Sequence, residues 1–190
     1  MAQTKKEKTL INWLKRILFK KYLNWYLKRF KASGESLDFQ MVLQNLKHVL
    51  IILPDYWDLE AIQNIFIKPL YQIFGEKTTI STFEKKTLRK EDSTWLGLPK
   101  KQYLQFFQQV KIDMIVDLSD PDDLFSTYVC SKLSAPLKIT LQTHPYEQVY
   151  NLSIRAKTED LPQRRIEVAL QYLAKLKNSS TVQTNGKVLK

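Results

Sequence analysis

His48-Val-Leu-Ile-Ile-Leu-Pro54 is the stretch that decides the fold. Five aliphatic residues follow one another with no polar alternation, and a proline stops the run. A strand with one wet face alternates, so a segment apolar at every position reads as a strand covered on both sides. Ile112-Asp-Met-Ile-Val-Asp-Leu118 is a second strong strand-like run, apolar at 114–116. Between the two, residues 58–74 and 100–110 have helical spacing, and 78–83 is β-branched and strand-like. Tyr103, Phe106 and Phe107 form the expected apolar side of the 100–110 helix. Asp58 stands where a cap is expected; Pro69 should kink or end that helix, and Gly75 closes it. Beyond Leu118, Asp120-Pro121 sets up a capped helix to about residue 133. Strands follow at 137–141 and 149–154, then a closing amphipathic helix at 161–177. Strands alternating with helices give an α/β fold: a single Rossmann-like, mostly parallel sheet of four or five strands with helices on both faces.

Working outward, the chain divides into a basic aromatic leader at 1–36, the α/β body at 37–177 and a polar tail at 178–190 expected to be disordered. Ala32-Ser33-Gly34-Glu35-Ser36 marks the first boundary, and residues 37–46 suit a short amphipathic helix. The leader carries the charge. Residues 1–31 hold ten Lys and Arg against the single acid Glu7, while the remainder is almost balanced, out of a formal net charge of +11. No run approaches the roughly 20 apolar residues that span a bilayer, and Lys15-Arg16 interrupts any signal-peptide core. With the lone Cys130, this leads to the expectation of a cytoplasmic protein.

On a helical wheel the leader has two apolar patches. Leu10, Ile11, Trp13, Leu14, Ile17 and Leu18 share one side, with Lys15, Arg16 and Lys20 opposite. Phe19, Leu23, Tyr26, Leu27 and Phe30 share a nearly opposite side, with Lys21, Lys28 and Lys31 behind them. Either one straight helix presents both patches, one to a membrane and one to the body, or the helix bends near Lys20-Lys21. Tryptophans at headgroup level and cations reaching anionic lipid are the chemistry of an interfacial helix. The residues expected to hold a membrane or other anionic surface are therefore Trp13, Lys15, Arg16, Lys20, Lys21, Trp25, Lys28 and Arg29. The same composition suits RNA phosphate and base stacking, so RNA or a ribosome stays open as a target, as does a protein partner.

Other chemistry is thin. Four scattered glycines make no phosphate loop and no dinucleotide fingerprint, so no nucleotide cofactor is expected. One cysteine and two histidines give no zinc site, and no metal is expected. Asp55, Asp58, Asp117 and Asp120 fall at or just past strand ends, where α/β proteins place their sites. Together the four are a set that could hold Mg²⁺ or provide a general base, and Asp55, Asp58 and Asp117 are the candidate catalytic residues, although capping accounts for Asp58 and Asp120 as well. His144, His48 and Cys130 read as structural, and Ser119 and Ser126 lack a nucleophile-elbow setting.

The segments at 48–58 and 112–118, with Tyr128-Val-Cys-Ser-Lys-Leu-Ser-Ala-Pro-Leu-Lys-Ile139, resemble the N-terminal half of heptosyltransferase-like glycosyltransferases over roughly residues 47–155. The resemblance implies that Asp58 matches a catalytic aspartate of a Gly-Asp turn. Trp57 stands where that turn has glycine, and no second domain for a nucleotide-sugar fits in the 190 residues. It therefore implies a shared fold rather than a shared activity. The leading expectation is a non-enzymatic, peripheral membrane-associated interaction module. A small transferase or hydrolase using Asp55, Asp58 and Asp117, and an RNA- or ribosome-associated factor, are the alternatives.

Overall fold

The structure, a computed structural model, describes residues 2–28, 38–155 and 161–185. A 27-residue helix, α1 (Ala2–Lys28), leads to the short α2 (Phe39–Gln44), which Asp38 caps through the Met41 N–H. The sheet strands are β1 (His48–Leu53), β2 (Thr79–Glu84), β3 (Met114–Asp117), β4 (Leu137–Thr140) and β5 (Leu152–Ser153). All pair in parallel, in the order β2-β1-β3-β4-β5. The expected α/β architecture with a parallel sheet is what forms.

Residues 59–74 run as α3 (Leu59–Ile62), a π-helical turn (Gln63–Ile67) and α4 (Lys68–Phe74). Pro69 neither ends nor breaks this helix. The wide turn immediately before it lets the Lys68 N–H reach the Gln63 carbonyl, five residues back, and so absorbs the misfit of a residue with no N–H. Gly75 then stops the chain at φ 94°, a backbone region that side chains with a Cβ rarely occupy. The remaining helices are α5 (Lys101–Gln109), α6 (Leu124–Lys132) and α7 (Pro162–Asn185). Two corrections follow. The polar tail expected from 178 onward is helical to Asn185, because α7 continues past the amphipathic stretch; 186–190 lie outside the described residues. The cap of α6 is Asp123, whose side chain accepts from the Phe125 N–H, and not Asp120. Residues 120–123 close a turn of their own, with the Asp123 N–H on the Asp120 carbonyl.

Strand alternation distributes the core. Val49, Ile51, Met114, Val116, Leu137 and Ile139 point to one face, where α3, the π-helical turn, α4 and α7 cover them with Ile62, Phe66, Leu70 and Leu173. Leu50, Ile52 and Ile115 point to the other, under α5 and α6. That second layer also contains Phe19, Leu23 and Leu27 of α1. Part of the expected leader is thus core, and it packs on α6. The Phe19 ring meets Tyr128 edge-on at 6.1 Å, and Tyr26 lies under the Lys132 ammonium at 3.5 Å.

Candidate functional site

The helix α1 runs without a break through Lys20-Lys21, so one continuous helix carries both patches. Its two patches have different fates. Phe19, Leu23 and Leu27 are buried on α6, while Leu10 (65% exposed), Trp13 (60%), Ile11 and Leu14 stand in the open. Leu18 and Trp25 are exposed as well. Helical spacing strings Leu10, Leu14, Lys21, Trp25 and Lys28 into one outward stripe, with Trp13 and Lys20 flanking it. Trp13, Lys20, Lys21, Trp25 and Lys28 are all exposed, whereas Arg29 lies outside the described residues. Lys15 and Arg16 are set differently: they face a groove rather than the outer stripe.

That groove, about 360 Å³, lies beyond the C-terminal ends of β2 and β3. Lys15, Arg16 and Phe19 bound one side; Lys85, the Leu96–Leu98 turn and residues 122–125 bound the rest. Lys85 pairs with Asp55 at 3.4 Å, and its ammonium lies 5.4 Å from the Phe125 ring centre. Asp123 is held above the ordinary carboxylate range by burial, which the Lys85 charge partly offsets.

The three candidate carboxylates occupy three settings. Asp55 is half exposed in its pair with Lys85. Asp58 is exposed at the start of α3 and makes no side-chain cap bond. Asp117 is buried on the α6 face. Among the described residues no three His, Cys, Asp or Glu side chains come together in a manner that could hold a metal ion. Past the ends of β1 and β3, on the α7 side of the sheet, lies a second, much smaller pocket. Tyr56, Trp57, Leu118, Pro162, Arg165 and Ile166 leave about 20 Å³ there, and Tyr56 closes it with a hydroxyl 3.3 Å from Asp120 Oδ1.

A buried polar cluster fills the α6 face under β4. Asp117 Oδ1 accepts from the Ser119 N–H at 2.9 Å. Its Oδ2 accepts from the Tyr150 hydroxyl at 2.6 Å and from the Cys130 thiol at 3.7 Å. Burial raises the Asp117 carboxyl above its usual range, against the pull of those hydrogen bonds, and pushes the Tyr150 phenol and Cys130 thiol well up. Lys138, whose ammonium donates to the Cys130 carbonyl at 2.8 Å, is lowered by burial. His144 Nδ1 accepts from the Tyr146 N–H, so its proton sits on Nε2 and donates to Thr127 Oγ1 at 3.2 Å. Burial lowers this imidazole to about 4. The expectation that His144 and Cys130 are structural agrees with these contacts.

The match to a family model spans residues 15–176, most of the chain. The chain belongs to the DUF6913 family, a family of unknown function. No curated protein and no solved structure matches it. The DUF6913 span enters α1 at Lys15, so it includes the half of the helix that docks and leaves Leu10, Ile11, Trp13 and Leu14 ahead of it.

Lys138, Tyr150 and Thr127 are the residues that sequence reasoning missed. One signal was present: Leu137-Lys-Ile-Thr140 alternates apolar and polar. In a strand covered on both faces, such alternation places Lys138 and Thr140 inside.

Proposed function

We propose that this protein attaches to anionic membrane surfaces through the outer face of α1, with the α/β body carried at the surface as a binding module. The observation that carries this reading is the open stripe of Leu10, Trp13, Leu14 and Trp25 on a helix whose opposite face is fastened to the core. Lys20, Lys21 and Lys28 flank or continue the stripe and are exposed. Each cation near an anionic leaflet contributes about 1 kcal/mol, and the aromatic and aliphatic side chains add burial at the headgroup level. No described helix is long and apolar enough to cross a membrane, so attachment is peripheral in this reading. A second copy is a poor occupant of the stripe, since it would bring two strongly cationic segments together.

Vesicle flotation tests it. The full chain should rise with phosphatidylglycerol vesicles, far less with phosphatidylcholine, and less as salt increases. Leu14→Glu together with Trp13→Glu should abolish flotation and leave the unfolding midpoint unchanged, because both side chains are solvent-exposed. Wild-type chain that stays at the bottom with anionic vesicles at low salt overturns the reading. Co-sedimentation with RNA in that case transfers the stripe to the nucleic-acid alternative. Deleting the whole leader is not an equivalent test, because it removes Phe19, Leu23 and Leu27 from the core.

A further inference from the structure

The groove beside α1 is lined by charges of both signs. Lys15 and Arg16 come from the helix, and Asp122 and Asp123 from the loop entering α6. Two of the groove's charges are already engaged. Lys85 pairs with Asp55, and Asp123 accepts from the Phe125 N–H. Lys15, Arg16 and Asp122 form no ion pair or hydrogen bond among the described residues. Two cations and one carboxylate without an ion pair therefore line a groove of about 360 Å³, a volume suited to a small ligand, with the Asp122 charge also felt by His144. Phe19, Leu98 and Phe125 supply apolar lining in the same groove.

We infer that this groove binds a zwitterionic phospho-amine, the chemistry of phosphoethanolamine, with the phosphate on Lys15 and Arg16 and the primary ammonium on Asp122. The wall charges select it. A simple anion attracted by Lys15 and Arg16 would meet Asp122 and Asp123. A simple amine drawn to Asp122 would meet Lys15, Arg16 and Lys85. A ligand carrying both charges satisfies both signs, and the planar guanidinium of Arg16 suits two phosphate oxygens at once. Because the groove and the outer stripe share α1, the inference deepens the membrane reading and rests on it only for the source of the ligand, a lipid headgroup as against a free phospho-amine.

Calorimetric titration of the full chain tests the groove without a membrane. Phosphoethanolamine should bind about tenfold or more tightly than glycerol phosphate, which lacks the amine, or ethanolamine, which lacks the phosphate. Arg16→Gln and Asp122→Asn, both at exposed positions, should each weaken it by about tenfold. Equal binding of the three compounds, or undiminished binding by Asp122→Asn, overturns the inference. The doubly substituted Leu14→Glu, Trp13→Glu chain should bind soluble phosphoethanolamine as wild type does. Failure of flotation thus removes the membrane reading alone, and failure of titration removes the groove alone. Adding phosphatidylethanolamine to phosphatidylcholine vesicles separates the sources. A gain in flotation that Asp122→Asn loses assigns a headgroup; titration without that gain assigns the free compound, and either outcome supports the groove.

Discussion

The two halves of α1 are both basic and amphipathic, and they have opposite environments. Residues 10–18 hold five aliphatics, one tryptophan and two cations, residues 19–28 hold four aromatics, two leucines and three lysines, and each half has an apolar side. The second half is seated on α6 through Phe19, Leu23 and Leu27, while the first projects Leu10, Trp13 and Leu14 into solvent. Amphipathic composition therefore says that a helix has a face to cover, but the partner surface decides whether it is covered. In α6 that surface is aromatic. Tyr128 meets both Phe19 and Tyr22, and burial together with the neighbouring Tyr22 and Tyr26 pushes its phenol up to about 12.

The sharpest way to break the comparison is to truncate one leucine in each half. Leu23 is fully buried, and Leu23→Ala should cost about 2–4 kcal/mol in urea unfolding. Leu14→Ala, on the outer face, should change stability by no more than about 0.5 kcal/mol. Equal costs would mean that the first half is covered in solution, and the outward stripe would lose its meaning.

Acid should loosen the seat of the docked half from below. His144 braces α6 through Thr127, and its folded value of about 4 lies below the 6.5 of the unfolded chain. A depressed histidine favours the fold above the unfolded value. Its contribution falls as pH drops from about 6.5 toward 4, because only the unfolded chain takes up the proton there. The loss by pH 4 should be roughly 2–3 kcal/mol. Unfolding curves between pH 7.5 and 4 should show that slope, and His144→Asn should remove this part of it. An unchanged slope in the variant would place the acid sensitivity elsewhere.

Much of this architecture was legible in the sequence, for a stated reason. The runs at 49–53 and 114–116 are apolar at every position, which only a strand covered on both faces requires. The two patches of α1 were legible as well, since helical periodicity alone separates them. Which patch docks was not, because both are apolar and the choice lies with Tyr128, more than a hundred residues away. The cap of α6 was misplaced for a local reason: Asp120, Asp122 and Asp123 all suit a helix start, and the turn over 120–123 decides among them. The polar cluster was the least legible. Asp117 lies in a strand, Cys130 in a helix and Tyr150 after a 3₁₀ turn, and nothing short of the sheet order places the three in contact.

Among the contacts that seat the docked half, the smallest effect should come from the cation that closes it. Lys132 ends α6, and its ammonium stands 3.5 Å from the centre of the Tyr26 ring and 5.4 Å from that of Tyr128. Partial burial lowers its pKa, so the charge is held at some desolvation cost that the two ring faces offset. Lys132→Met keeps most of the stem that covers Tyr26 and removes only the charge. It should therefore cost about 0.5–1 kcal/mol in the same urea assay, less than Leu23→Ala and more than Leu14→Ala. Combined with Tyr26→Leu, which removes the ring, the Lys132 substitution should add almost nothing further. A double-mutant cycle with no coupling would show that the lysine stem, and not its charge on the ring, holds this end of α1.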